Sequence, residues 1–327
     1  MRSTTTGVFR ERDDFAAALR EDGSDNLIVT DNGIFQARLT RIALRRMRLL
    51  TANELLARVL FQSVPLDVTL ISISLGRTLP QIWGGTDTAA GDVVTVGAGH
   101  RTYVRSAGRS HWGTLLLPTR LLANQAQLLT GNAIAVPAGV SHWRPCPKAR
   151  RHLIQLQTSA ARVAQRRVEM IATYQAARTL EEELIDATIA CLSKAPIKIS
   201  NDTTDRHTNI MRQFEDLLQA HPEKAFTTAE LCEALDVSGR TLRTCCSNYL
   251  GMGPNEYIHL RRLHIIRRVL RSAYAAPASV AELAEQYGFS EAGRFAGAYR
   301  KHFGELPSVT LRQSAVGSSV VSRNSSR

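Results

Sequence analysis

The sequence predicts an α+β protein with a strand-rich N-terminal half and an all-helical C-terminal region. Residues 27–145 alternate short apolar runs with Gly, Pro, Asn and Asp, which is typical of short strands in a sandwich or barrel. Residues 229–307 instead contain a helical apolar pattern that occurs twice. With 327 residues and 44% apolar residues, the chain is long enough for two domains with their own cores.

The strand-rich half contains four clear strand patterns. They lie at residues 68–75, 92–99, 111–118 and 131–139, and residues 118–129 form a short helix or loop between two of them. We expect these strands to close into a β-barrel over 27–145.

The apolar spacing becomes helical over residues 153–193, which predicts two accessory helices with a break near Arg178. They either pack on the barrel or pair with a second subunit. The polar segment that follows predicts an interdomain linker. The predicted organisation is a first domain at 1–193, a linker at 194–209, an all-α domain at 210–312 and a disordered Ser-rich tail at 313–327.

Composition limits the partners of the chain. The formal net charge is +12, which suits a polyanion such as nucleic acid but also a merely soluble basic protein. The excess is spread along the chain, so charge alone does not single out the repeat. No long apolar run or secretory leader is visible, and the five cysteines are an odd number without a CxxC pair. We expect a cytoplasmic protein.

The first copy of the repeat, 229–254, predicts a helix, a short turn and a second helix. Thr227 and Ser238 are placed to cap the two helices, and Gly251 is placed to end the second one. A helix-turn-helix presents the outer face of its second helix to the major groove of DNA. The candidate DNA-binding residues here are Ser238, Arg240, Thr241, Arg243 and Thr244.

The second copy, 281–307, follows the same frame with one extra residue in its turn. Ser279 and Ser290 are the predicted caps, and Gly304 ends the second helix. The side chains on its outer face are unusually small. This favours either a close approach of the helix backbone to the sugar-phosphate of DNA, or a module that contributes little to sequence specificity. The candidate DNA-binding residues are Glu291, Ala292, Gly293, Arg294, Gly297 and Arg300.

Residues 255–272 predict one helix that joins the two copies and fixes their spacing. Its apolar residues fall on one side, and five arginines cover the rest. These arginines either contact phosphate or form a solvated basic face. The five are Arg261, Arg262, Arg267, Arg268 and Arg271.

This arrangement resembles the DNA-binding domain of the AraC/XylS transcriptional regulators. The resemblance covers about 100 residues and is carried by the opening helix "IMRQFEDLLQAHPE", by "AELCEALDVSGRTL", by "GMGPNEYIHLRRLHIIRRVL" and by "VAELAEQYGFSEAGRFAGAYRKHFGELPS". It implies base contacts from Arg240, Arg243 and Thr244 in the first module. In the second module it implies contacts from Ala292, Gly293, Arg294 and Gly297, although Gly297 stands where the family often has Arg.

The N-terminal half resembles the cupin-like sensor domains of such regulators through "GDVVTVGAGHRTYV" and "HWGTLLLPTRLL". The resemblance implies a transcriptional regulator, here expected to be an activator, that binds double-stranded DNA and a small-molecule effector and forms a homodimer. RNA polymerase is a further candidate partner. The effector-binding residues cannot be named from the sequence.

The alternative is a metal-dependent cupin enzyme that carries a DNA-binding tail, and a third reading is a protein-binding helical module. His100, His111 and His142 fall in the strand region but lack an HxH spacing or a close acidic partner. We therefore expect no catalytic residue, cofactor or resident metal. Trp83, Trp112 and Trp143 are expected in the core, or along an apolar pocket.

Overall fold

The computed structural model describes residues 4–76, 79, 81–166, 173–199, 202–272 and 279–313. The chain divides into two compact units, Met1–Leu27 with Phe35–Thr208 and Ile28–Ile34 with Asn209–Arg327. The tail predicted to be disordered, 313–327, lies outside the described residues except for Gln313. No helix in the described part is long and apolar enough to cross a membrane.

The N-terminal half is built mainly from strands. They are β1 (Thr4–Phe9), β2 (Ser24–Val29), β3 (Ala37–Ala43), β4 (Arg48–Glu54), β5 (Arg58–Ser63), β6 (Val68–Ser74), β7 (Gln81–Trp83), β8 (Thr86–Asp87), β9 (Val93–Val96), β10 (Arg101–Ser106), β11 (Ser110–Pro118), β12 (Val140–Trp143) and β13 (Ile197–Ile199).

The described strands form two antiparallel sheets and no closed barrel. The larger sheet has the order β1-β3-β4-β11-β6-β9-β12-β13, and the smaller has the order β2-β5-β10-β7-β8. The α+β class is therefore confirmed, while the barrel is replaced by two sheets.

The larger sheet is buried on both faces in its centre. On β11, Leu115 and Leu117 belong to a core shared with the helices of this unit. The alternate residues, such as Leu116, line an interior cavity instead, because successive side chains of a strand point to opposite faces. Burial on both faces explains why β6 and β11 have continuous apolar runs.

Helices cover one face of the larger sheet. α1 (Arg12–Arg20) precedes β2. Residues 118–129, expected to form a short helix or loop, form the helix α2 (Thr119–Thr130). α3 (Pro147–Arg166) and α4 (Tyr174–Leu192) contribute Leu153 and Leu184 to the core under the sheet. The predicted break near Arg178 is wrong, since α4 is continuous there; residues 167–172 lie outside the described part.

Two further sequence predictions differ from the structure. The strand expected at 131–139 is absent from those residues, and the strand begins instead at Val140, after Gly139 with φ +90°. The predicted linker 194–209 contains β13, which pairs with β12, and the start of the next helix at Asp202. The polar composition of this segment concealed both elements.

The tryptophans of the strand region lie in the interior, and its histidines are buried or half-buried. Trp83, Trp112 and Trp143 are buried, as expected from their size. Burial lowers the pKa of His111 and of His142. Within the described ranges, no group of three His, Cys, Asp or Glu side chains could hold a metal ion.

The second unit is helical. Its elements are α5 (Asp202–Ala220), α6 (Thr228–Ala234), α7 (Gly239–Leu250), α8 (Pro254–Arg271), α9 (Val280–Gln286) and α10 (Ala292–Phe303). The pairs α6–α7 and α9–α10 are the two copies of the repeat, and α8 is the single helix expected between them.

Gly113→Ala should destabilise the first unit. An added Cβ would lie 1.8 Å from Oε1 of Gln157 and 3.0 Å from its Cδ, and Gln157 is fully buried on α3. Overpacking of this kind costs about 1–3 kcal/mol in the free energy of unfolding, measured by denaturant titration. In a Gln157→Ala background the same change should cost less, and an equal loss in both backgrounds would contradict this contact.

Candidate DNA-binding surface

The first module begins with a fully capped support helix. The hydroxyl of Thr227 accepts a hydrogen bond from the backbone N–H of Glu230 (3.2 Å), and the Glu230 carboxylate accepts one from the backbone N–H of Thr227 (2.8 Å). This reciprocal capping box fixes the start of α6. The hydrogen bond from the Thr227 backbone, with help from Lys224, lowers the pKa of Glu230 to about 2.

Both modules close the turn after the support helix with the same backbone hydrogen bonds. In the first, Val237 N–H donates to the Cys232 carbonyl (3.0 Å) and Asp236 N–H to Glu233 (3.2 Å). In the second, Phe289 N–H donates to Ala284 (2.9 Å) and Gly288 N–H to Glu285 (2.8 Å). These are the paired bonds of a Schellman motif.

The left-handed residue in each turn stands at the same place in the repeat. In the first turn this residue is Asp236, with φ +50°, and among the described residues no other non-glycine residue has a positive φ. In the second turn it is Gly288, with φ +72°. A Cβ on Gly288 would lie 2.8 Å from both Ala225 Cβ and Arg262 Nη1. The second turn therefore requires glycine for conformation and for packing.

The recognition helix of the first module is α7. Ser238 caps it as predicted, because its hydroxyl accepts the backbone N–H of Thr241 at 3.1 Å. Its inner face is buried and includes Leu242, Cys245 and Cys246, and burial raises the pKa of the Cys246 thiol to about 12.

The opposite face of α7 brings the predicted contact residues together. Arg240, Arg243 and Thr244 are exposed and Thr241 is half-buried. The hydroxyl of Thr244 donates to the Arg240 carbonyl (3.0 Å) and that of Thr241 lies 2.9 Å from the Ser238 hydroxyl. The two guanidinium groups, by contrast, form no ion pair with any described residue. Arg240 and Arg243 are thus the charged groups of this face that are available to an external partner.

The second recognition helix begins one residue later in the repeat than the first. Ser290 was predicted as its cap, but α10 starts at Ala292 with Glu291 at the capping position and no side-chain cap hydrogen bond. The extra residue of the second copy is therefore taken up between turn and helix. Glu291 instead forms an ion pair with Arg294 at 3.0 Å, and both side chains are largely exposed.

The outer face of α10 carries few side-chain atoms. Ala292, Gly293 and Gly297 are exposed, as is Arg300 near the end of the helix. A Cβ added to Gly293 or Gly297 would meet nothing within 4 Å. Packing within the described residues therefore gives no reason for either glycine.

Helix α8 contacts both modules, and Thr228 of α6 hydrogen-bonds to Asn255 of α8 at 3.1 Å. Its first half is tied to α5 by a buried ion pair between Arg261 and Glu215 (2.5 Å). Tyr257 packs near Phe214, with ring centroids 6.0 Å apart. Its second half enters the core of the second module, where Ile266 and its neighbours contact residues of α9 and α10.

Arg262 on α8 hydrogen-bonds to the turn of the second module. Its Nη1 donates to the carbonyls of Tyr287 (2.8 Å) and Gly288 (3.3 Å), and its guanidinium lies 4.8 Å from the ring centre of Phe289. Burial lowers the pKa of Arg262. The carbonyls at the end of α9 thus receive a charged donor from the connecting helix.

The expectation that the α8 arginines bind phosphate or form a solvated face is wrong for three of the five. Arg261 and Arg267 are buried, and Arg267 pairs with Glu305 at 2.6 Å. Arg262 holds the second turn as described above. A signal was present, since Arg261 and His264 follow Tyr257 at spacings of four and seven, which places them on its buried face.

Arg262→Ala should lower the free energy of unfolding of the second unit by about 1.5–3 kcal/mol, the range for hydrogen bonds to charged groups. Arg240→Ala is the matched control, because an exposed arginine should change stability by less than about 0.5 kcal/mol. Denaturant titration measures both. Equal losses in the two variants would show that Arg262 does not brace the turn.

Gly297→Ala should raise the free energy of unfolding by up to about 1 kcal/mol, because glycine inside a helix is that much less favourable than alanine. Gly304→Ala is the control of opposite sign. Gly304 ends α10 with φ +81°, and a left-handed non-glycine residue costs about 1–2 kcal/mol. A loss of stability in Gly297→Ala would reveal a packing role for this glycine.

Comparison with known proteins agrees with this geometry. Residues 231–313 match the family described as "Helix-turn-helix domain". The chain is 37% identical over 103 residues to the probable thc operon regulatory protein of Rhodococcus erythropolis, covering 32% of this chain and 31% of that protein. It is 35% identical over 115 residues to the XylDLEGF operon transcriptional activator 3 of Pseudomonas putida, covering 35% of each.

The match thus spans about a third of the length of these curated relatives. Among solved structures, the AraC-like transcriptional activator CuxR aligns with 81% of this chain and 94% of its own, at 17% identity and a TM-score of 0.44. The family match falls on the tandem modules described above. The chain is thus similar to a helix-turn-helix domain over residues 231–313, and to operon regulatory proteins over about a third of its length.

Proposed function

We propose that the protein is a sequence-specific transcriptional regulator that binds double-stranded DNA through residues 210–312. The observation that carries the proposal is the exposed Arg240–Arg243 face of α7, placed on a helix whose turn geometry recurs at α10. Two such modules on one connecting helix fit successive major grooves of a duplex. Arginine donates paired hydrogen bonds to O6 and N7 of guanine, which gives the first module a means of reading bases.

The second module contributes differently. Its outer face offers Arg294 and Arg300 around the open backbone of Gly293 and Gly297. Arginines contact phosphate oxygens irrespective of sequence, and such contacts position a protein on DNA. We assign base reading mainly to Ser238, Arg240, Thr241, Arg243 and Thr244. We assign backbone contact to Glu291, Ala292, Gly293, Arg294, Gly297 and Arg300, with Glu291 orienting Arg294.

The first unit, within residues 1–193, is the proposed sensor of a small-molecule effector. Its support is a buried cavity between two sheets, which is separate from the residues that would bind DNA. The names of the curated relatives describe operon regulators and activators, and activation through RNA polymerase by a homodimer is the mode we propose. The proposal requires no catalytic group, which distinguishes it from a metal-dependent enzyme.

Arg240→Ala should weaken binding to a preferred duplex by about 1–3 kcal/mol and relax selectivity at one base position, because it removes a base contact. Preferred duplexes would be selected from a random library with the full chain, and affinities measured by fluorescence anisotropy at several salt concentrations. Arg212→Ala, an exposed arginine on α5, is the matched control and should bind as the unmodified protein does.

Arg300→Ala should weaken binding to all duplexes alike and make the salt dependence shallower, as loss of a phosphate contact does. A chain that selects no preferred duplex would contradict the regulator proposal and favour a protein-binding module. Selectivity unchanged in Arg240→Ala would remove only the role assigned to that side chain.

A further inference from the structure

The two sheets of the first unit hold between them an interior cavity of about 30 Å³. Its wall includes Arg58, Leu60 and Gln62 from β5 and Trp112, Thr114 and Leu116 from β11. These are alternate residues of each strand, so they face the same side. A cavity of this volume has room for about two water molecules, or for a head group of similar size.

A buried ion pair at this cavity joins the two sheets. Glu54 ends β4 of the larger sheet and Arg58 begins β5 of the smaller one. Arg58 Nε lies 2.7 Å from Glu54 Oε2, and the two side chains are 3% and 2% exposed. The other carboxylate oxygen of Glu54 accepts a hydrogen bond from Trp112 Nε1 at 2.6 Å. The carboxylate is therefore held from both sides.

Arg58 retains an unmet donor. Its Nη1 is buried and has no hydrogen-bond partner. Ser106, directly opposite Arg58 in the strand register, also has a buried hydroxyl without a partner. Leaving a buried donor unsatisfied is unfavourable, because the group has lost its hydrogen bonds to water. Arg58 also lines the cavity, so an acceptor oxygen that reached Nη1 from there would satisfy this donor.

The charge balance of the wall favours an uncharged oxygen. Glu54 already compensates Arg58, and a carboxylate placed beside it would put two like charges in a buried site. Asp22, also in the wall, is held by Arg41 at 2.8 Å and Arg48 at 3.1 Å. Burial, partly offset by these arginines, raises the pKa of Asp22. A neutral carbonyl or hydroxyl meets Nη1 without adding charge.

A larger cleft of about 620 Å³ adjoins the cavity. The two share Ser72, Gln81 and Trp83 in their walls. The cleft is lined in part by apolar residues such as Ile73 and Val94. It has room for the body of a small organic molecule whose head reaches the cavity.

We propose that this pair of cavities binds an uncharged small molecule with an apolar body and one hydrogen-bond-accepting oxygen, and that Arg58 Nη1 donates to that oxygen. Neutral alcohols, amides and ketones belong to this class. The inference rests on the proposed function, because it gives the sensor unit the chemical class of its effector. It assigns to Arg58 a binding role, with Glu54 and Trp112 holding its guanidinium in place.

The test uses the full chain and three probes with the same apolar body: 1-hexanol, hexanamide and hexanoate. Tryptophan fluorescence reports binding, because Trp83 and Trp112 lie in the cavity wall; a Trp143→Phe background removes the third tryptophan. The two neutral probes should bind at least about tenfold more tightly than hexanoate. Hexanoate binding as tight as the neutral probes, through Arg109 or Arg150 of the cleft, would overturn the proposal.

Two variants locate the site. Ser72→Leu fills the shared wall and should abolish binding while leaving the ion pair intact. Glu54→Gln with Arg58→Met removes the pair as a unit, which avoids leaving one buried charge, and should weaken neutral-probe binding about tenfold.

The matched control is Glu182→Gln with Arg178→Met. This pair has the same residue types and the same spacing of four, but it is exposed on α4. It should bind the probes as the unmodified chain does, and thermal unfolding checks that each variant is folded. Unchanged binding in Ser72→Leu, or no binding of either neutral probe at millimolar concentration, would leave the cavity a site for ordered water only and refute the proposal.

DNA affinity of the same preparations is measured without probe, which separates the two proposals. Probe binding by a chain that selects no duplex would retain this site and refute the regulator. Duplex selection by a chain that binds neither neutral probe would retain the regulator proposal and refute this site.

Discussion

The geometry of the second unit depends on helix α8 being shared by its neighbours. Its first half is anchored by the buried Arg261–Glu215 pair and its second half lies in the core of the second module. Removing one partner of a buried ion pair costs about 3–5 kcal/mol, because the other charge is left uncompensated. The modules therefore cannot move apart without disrupting this helix. In the proposed complex, the two recognition helices must be spaced to enter successive major grooves. The helix that fixes this spacing therefore matters as much as the residues that contact bases.

The two modules show how one backbone frame serves two surfaces. The Schellman bonds, the left-handed turn residue and the glycine that ends each recognition helix recur in both copies. These features fix the backbone and leave the outer face free to vary. The first face carries long side chains at Arg240 and Arg243, while the second carries Gly293 and Gly297, where an added Cβ would meet no described residue within 4 Å. Contacts within the described residues therefore do not offset the two unfavourable glycines.

Much of the helical unit could be predicted from the sequence, because caps, turns and stops act locally and each has its own residue signature. Thr227, Ser238, Gly251 and Gly304 were sufficient to place four helix ends. Ser290 was wrongly predicted as a helix cap, because the extra residue of the second copy moves the helix start to Ala292. The capping preference of serine alone does not reveal such a shift. The arginines of α8 were misread because burial in pairs depends on residues far along the chain, such as Glu215. The same limit applies to the first unit, where Glu54 and Arg58 look like surface charges four residues apart and are in fact the buried link between two sheets.

In the sensor proposed above, that link gives the first unit a means to respond to a bound molecule. A ligand shifts a conformational equilibrium only by the difference in its affinity for the two states, and coupling between sites is typically about 1–3 kcal/mol. Satisfying the buried Arg58 Nη1 is worth a similar amount, about 1–3 kcal/mol. The gain exists only in a conformation that keeps Glu54, Trp112 and Arg58 together, since separation of the sheets would expose the guanidinium to water. In the proposed sensor, binding at this donor therefore stabilises the conformation in which the ion pair joins the two sheets, whereas contacts of the apolar body in the cleft need not distinguish it from one in which the sheets separate.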